Sequence, residues 1–316
     1  MLWRRLLFVF MVMVSFYSGV SFASGSKTSE GETAKGPIVV ASKIDTEGAL
    51  LGQMIIAMLK ENGFKVVDKT EFGPTDVIRK AIINGEIDIY PEYTGNGGFF
   101  FESDDPTIWK DPEKGYEMVK KLDYEKNKII WLTPAPANNT WALAIRKDLA
   151  DREGIKTLED FARYVNNGGY VKVAASEEFV TRPDALPAFE EAYGFKLSRN
   201  QLIILSGGNT AQTEQAAAAG TDGVNVAMAY GTDGALAALG LWVMEDTRGV
   251  QPVYEPTPIV REEIYNKYPE IEDILGEVFQ SLDLVTLQAL NAKIAVEGQN
   301  PKDVAEDYLR QEGFIR

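Results

Sequence analysis

Asp88 and Glu92 are the nearest approach in this chain to a catalytic carboxylate pair. Acid–base work needs two such groups within reach of one substrate, with their proton affinities pushed apart. These two lie across a strand end and Pro91, an arrangement that reads more readily as structural. Composition closes other routes to catalysis. The chain has no His and no Cys, which excludes Ser-His-Asp and Cys-His nucleophiles and the usual zinc sites. Ser206-Gly207-Gly208-Asn209-Thr210 is a turn between strand and helix that could offer N–H groups to an anion, but such turns are common. No Walker A, EF-hand or dinucleotide-binding element stands out. Neither an enzyme nor a cofactor is expected.

The elements that would position any site form an alternating pattern. Residues 38–41 read as a strand, and Leu50, Leu51, Met54, Ile55, Met58 and Leu59 recur at helical spacing until Asn62-Gly63. A second strand follows at 64–69. Thr75 is the expected N-cap of a helix carrying Val77, Ile78, Ala81 and Ile82, and a third strand spans 87–90. Strands separated by helices of this length predict a parallel sheet with right-handed crossovers. Further strands are expected at 129–132, 141–145, 171–175, 202–205, 224–229 and 241–244. Thr157 with Asp160 three residues on suggests a capping box. From Glu262 the chain reads as helical, at 271–282, 284–295 and 303–311. No internal repeat is evident. The expected fold class is α/β, with two lobes, the last helices returning to the first, and a ligand cleft between them. Lobe I is placed at 37–140 and 252–316, and lobe II at 141–251.

Two features address the compartment and partners. Arg4 and Arg5 precede an apolar run at 6–14, and Ser21-Phe22-Ala23 resembles a cleavage signature, so 1–23 reads as a secretory signal peptide. Residues 24–36 read as a flexible leader. Without Cys there is no lipid attachment site, so a soluble periplasmic protein is expected. The formal net charge is −15. Such acidity disfavours nucleic acid and anionic membranes as partners, and leaves the sign of a local site open.

Several motifs occur in order along the chain. Ala41-Ser42-Lys43 is followed by Thr46-Glu47. Next come Gly85-Glu86-Ile87-Asp88-Ile89-Tyr90-Pro91-Glu92-Tyr93-Thr94-Gly95 and Asn138-Asn139-Thr140-Trp141-Ala142-Leu143. Ala229-Tyr230-Gly231-Thr232-Asp233-Gly234 and Gln251-Pro252-Val253-Tyr254 complete the set. Together they resemble the osmoprotectant-binding proteins, the substrate-binding components of glycine betaine, choline and carnitine ABC importers. The wording around Trp141 and Tyr230 is similar to a divergent, osmotically induced branch. The resemblance implies a type II periplasmic-binding fold that closes on its solute, and an ABC permease with a separate ATPase subunit as partners. It also implies a box of rings around a trimethylammonium group, carried here by Tyr93, Trp141, Tyr230 and Tyr254. Arg182 and Lys43 would face a carboxylate. Trp141 stands where the family commonly has Tyr, and Asn96-Gly97-Gly98 replaces the Thr or Asp that often follows the Tyr93 motif.

Elementary chemistry agrees with that transfer. A trimethylammonium has no N–H, so hydrogen bonds cannot select it, whereas ring faces attract it by about 0.5–2 kcal/mol each. A guanidinium suits a carboxylate through two parallel hydrogen bonds. Another small solute, such as an amino acid or other compatible solute, is the alternative ligand. Tyr116, Tyr124, Tyr164, Tyr170 and Tyr193 lack motif context and read as structural. Lys43 could instead pair with Glu47. A monomer is expected.

Overall fold

The fold is seen in a computed structural model, which describes residues 35–207 and 209–316. The expected signal peptide and all but the last two residues of the expected leader lie outside the described residues. Ten strands follow in chain order: β1 Lys35–Lys43, β2 Phe64–Gly73, β3 Ile89–Tyr93, β4 Ile129–Trp131, β5 Trp141–Arg146, β6 Val173–Ser176, β7 Leu202–Leu205, β8 Val226–Tyr230, β9 Leu241–Val243 and β10 Pro256–Arg261. They form two five-stranded sheets, ordered β2-β1-β3-β10-β4 and β7-β6-β8-β5-β9.

The first crossover shows how sequence builds the core. Asp45 caps helix Thr46–Glu61 by accepting from the Gly48 N–H at 2.8 Å. Leu50, Leu51, Met54, Ile55 and Leu59 are fully buried, and Met58 nearly so. Each contributes at most about 1.5–3 kcal/mol by leaving water. Their partners include Leu275, Phe279, Leu287 and Leu309, so the C-terminal helices do return to the first sheet. The second sheet has a separate core around Phe161, Phe179 and Phe189.

Both sheets are mixed rather than parallel. β1 runs parallel to β2 and β3, but β10 inserts antiparallel between β3 and β4. In the other sheet β6, β7 and β8 are parallel, and β5 runs antiparallel to β8 and β9. β10 is missing from the sequence reading because Pro256 and Pro258 argue against a central strand. Register resolves the conflict: Pro258 lies opposite Pro91, where neither can donate. The proline carbonyls still accept, from Leu132 N–H at 3.0 Å and Ala135 N–H at 2.8 Å.

Two local expectations also change. β1 begins at Lys35, inside the stretch read as leader, because the Lys35 N–H reaches Gly63 O. Pro74, not Thr75, occupies the N-cap of the second helix, and Thr75 is its first residue. The Thr157–Asp160 capping box forms as its spacing suggests.

The chain passes between the sheets twice, in residues 132–140 and 244–255. These passages run side by side. Asn139 N–H donates to Tyr254 O and Tyr254 N–H donates to Asn138 Oδ1, both at 2.9 Å.

Candidate functional site

The strand ends converge where the sheets meet. Lys43 ends β1, Tyr93 ends β3, Trp141 begins β5 and Tyr230 ends β8. Tyr254 lies on the second passage, and Arg182 follows the short helix Glu177–Thr181 after β6. All six line one cavity. A water-sized sphere can move its centre through about 40 Å³ of it, room for a few water molecules. None of Tyr116, Tyr124, Tyr164, Tyr170 and Tyr193 lines it.

Register explains the ring geometry. Trp141 sits directly opposite Tyr230 in the β5–β8 pair, so their rings come to 6.3 Å between centroids at an interplanar angle of 22°. Tyr254 meets Trp141 edge-on at 5.8 Å. Gly95 permits this placement, because a Cβ there would fall 2.8 Å from the Tyr254 ring and from Val253 O. Tyr93 is fixed at its hydroxyl, which donates to Glu47 Oε1 at 3.1 Å. Trp141 Nε1 is buried without a hydrogen-bond partner.

Both basic residues already hold carboxylates. Lys43 Nζ lies 2.6 Å from Glu92 Oε1 and 4.8 Å from the Tyr93 ring centroid, so its partner is Glu92 and not Glu47. Burial by itself would raise the Glu92 carboxyl, but Lys43, Tyr90 and Asn96 outweigh it and hold it below its ordinary range. Asp88 instead accepts from Val39 N–H and pairs with Arg261. The two acids are thus engaged with separate structural partners.

Arg182 uses all five of its N–H groups. It grips Asp184 with Nε and Nη2, both at 2.7 Å, and donates through Nη1 to Asn96 Oδ1 at 2.9 Å and Glu178 Oε1 at 3.0 Å. Its remaining contact, 3.4 Å to the Tyr254 hydroxyl, is the weakest. The guanidinium also lies 4.5 Å from the Trp141 ring centroid.

Several lining residues escaped sequence reasoning. Asp45 and Glu178 bring two acids to the wall, and Asn96, Asn139 and Gly207 also line it, beside Ile44, Pro74 and Thr75. Asn96 directly follows the Tyr93 motif, which was a usable signal; Glu178 had none. Gly207 belongs to the glycine-rich turn. Glu47 lies just behind the wall. It accepts from Asn139 Nδ2 at 2.6 Å and Asn291 Nδ2 at 2.8 Å, and burial pushes its carboxyl up to about 7 against those donors.

The family described as the substrate-binding domain of the ABC-type glycine betaine transport system matches residues 36–311. The chain belongs to that family. Members of the family are solute-binding components rather than enzymes; they work outside the cytoplasmic membrane with permease and ATPase components. The glycine betaine-binding protein YehZ of Escherichia coli K12 is 57% identical over 283 residues, 90% of this chain and 93% of that protein. Its apo structure covers 89% of this chain and 100% of its own, with a TM-score of 0.65. A glycine-betaine-binding protein of Pseudomonas aeruginosa is 32% identical over 302 residues, 93% of this chain and 92% of its own. A solved glycine betaine/carnitine/choline ABC transporter structure shares the fold at 20% identity and a TM-score of 0.68, covering 88% of this chain and 99% of its own. The fold is that of the type II periplasmic-binding proteins. Among the described residues, no helix is long and apolar enough to cross a membrane.

Proposed function

We propose that this family member is an exported receptor that captures glycine betaine between its lobes and delivers it to an ABC permease. Tyr93, Trp141, Tyr230 and Tyr254 would surround the trimethylammonium. The observation that carries this reading is that four rings from four chain segments line one small cavity. At about 0.5–2 kcal/mol each, they could supply several kcal/mol, enough for a Kd on the order of micromolar after the cost of association. The carboxylate would be met by Arg182 and Lys43. Two of the Arg182 contacts, to Asn96 and Tyr254, are to neutral acceptors, which an anionic oxygen can replace with a stronger bond. The unpartnered Trp141 N–H is a further donor.

The glycine betaine-binding relatives from Escherichia coli and Pseudomonas aeruginosa agree with this reading. The proposed organisation is a signal peptide at 1–23, a leader over most of 24–36, lobe I at 37–140 and 252–316, and lobe II at 141–251. The receptor would act as a soluble periplasmic monomer without nucleic-acid partners.

One observation favours a second ligand. Asp45 and Glu178 share the wall with Lys43 and Arg182, and Glu92 and Asp184 already neutralise those two bases. That excess of acid suits a cation with no carboxylate, such as choline.

Isothermal titration of refolded, ligand-stripped protein tests both readings, with glycine betaine, choline, carnitine and proline as ligands. One-to-one binding of glycine betaine that weakens roughly 2- to 30-fold in Tyr230→Ala supports the proposal. Binding of choline alone selects the second reading. No binding of any quaternary ammonium at millimolar concentration rejects the aromatic box.

A further inference from the structure

Glu214 and Asp233 lie behind the Tyr230 strand end, outside the ligand cavity. Asp233 Oδ2 accepts the Tyr230 N–H at 2.6 Å, and Oδ1 accepts the Thr210 hydroxyl at 3.1 Å. Glu214 projects from helix Thr210–Ala219, is 1% exposed, and has Oε1 without a partner. Both acids line a chamber of about 10 Å³ together with Thr46 and Asn291. No base neutralises either carboxyl: among the described residues neither enters a salt bridge. From helix Thr46–Glu61 and its cap, the charged group that acts on Asp233 is Asp45, also an acid. Helix Leu284–Ala295 presents the neutral Asn291, whose Nδ2 serves Glu47 and Thr232 O.

Two adjoining buried carboxyls without a counter-ion cannot both remain charged at tolerable cost. Asp233 already receives two donors suited to an anion, which leaves Glu214 to hold the proton. We propose that Glu214 and Asp233 share a single proton, and that this pair positions Tyr230 at the edge of the ligand cavity. Burial and the charge of Asp233 push the Glu214 carboxyl well up, while Asp233 is raised by burial against the opposing pull of its donors. Near neutrality a protonated Glu214 therefore donates to an ionised Asp233, and Asp233 holds the Tyr230 backbone. Deprotonating Glu214 puts a second charge beside the first and loosens that hold. Glu214 is thus a positioning residue, acting through Asp233.

The link to ligand affinity rests on the role proposed for Tyr230, so the experiment has one arm without ligand. Infrared difference spectra of ligand-free wild type and Glu214→Gln at pH 7 should show one protonated-carboxyl carbonyl band lost in the variant. Absence of that band from the wild type overturns the shared proton. Glycine betaine affinity is then followed by titration from pH 7 to pH 10. Glu214→Ala should weaken it about tenfold at pH 7, and Glu214→Gln should restore most of that loss and flatten the alkaline decline. Equal affinity in Glu214→Ala and wild type, or a Glu214→Gln profile parallel to wild type, overturns the positioning role. Failure of the wild type to bind glycine betaine would reject the ligand reading, while the infrared result still decides the proton.

Discussion

Arg182 reaches across the cleft to Asn96: its Nη1 donates to Asn96 Oδ1 at 2.9 Å, joining the segment after β6 of one sheet to the turn after β3 of the other. The same guanidinium is held on its own side by Asp184 and Glu178. The contact thus joins the two sheets at the wall of the cavity.

Replacing Arg182 with Ala should therefore act twice. Glu178 and Asp184 lose their cation, costing about 3–5 kcal/mol if the pair behaves as a buried one; both acids are partly exposed, so the lower end is expected. Ligand affinity should fall tenfold or more. Asn96→Ala should weaken binding with a much smaller change in melting temperature. Calorimetry and thermal unfolding of the two variants separate binding from stability.

Trp141→Ala should weaken quaternary-ammonium binding more than Tyr230→Ala does. Trp141 contacts Tyr230, Tyr254, Phe179 and Arg182, so its removal disorders the neighbouring walls as well as deleting one face. A single ring face is worth about 0.5–2 kcal/mol, roughly 2- to 30-fold in Kd. Tyr116→Phe, at a residue that does not line the cavity, should leave Kd unchanged in the same titration.

Stability should fall as pH rises from mildly acidic to neutral. Glu47 has an ordinary value of 4.5 and about 7 in the fold, raised chiefly by burial. Between those values the folded state holds the proton more tightly than the unfolded chain. The contribution is complete below 4.5 and is lost as pH rises through 7, for a total on the order of 3 kcal/mol. Urea unfolding at pH 5 and pH 8 should show the wild type losing more stability than Glu47→Gln over that interval.

Gly234→Ala should weaken the contact between the loop after β8 and helix Leu284–Ala295. A Cβ at Gly234 would fall 1.8 Å from Gln288 O, which is backbone and cannot swing aside. That loop also receives Gln288 Nε2 at Gly231 O and Asn291 Nδ2 at Thr232 O. Small-angle scattering of the ligand-free variant should give a larger radius of gyration than wild type, with several-fold weaker ligand binding.

The sequence determined most of the elements. Helix Thr46–Glu61 follows from apolar residues at helical spacing and a capping acid, signals that act within a few residues of chain. The segments around Tyr93, Trp141, Tyr230 and Tyr254 stood out only through their resemblance to the family's motifs, since spacing alone does not separate a ligand-facing ring from a packed one. The missing His and Cys restricted the chemistry without any structure.

Tertiary structure decided the partners. Glu47, close in sequence, was a natural partner for Lys43; strand order gave it Glu92 instead, since β1 and β3 lie side by side. β10 was hidden by its prolines, and its register, which sets Pro258 against Pro91, helps make Pro258 tolerable in a central strand. Arg182 has no local sign that five acceptors await it, two of them on Asn96 and Tyr254, far away in sequence. Propensity and periodicity are properties of neighbouring residues. Charge pairing and cavity walls depend on which chain ends the sheet topology brings together, and nothing local in the sequence records that.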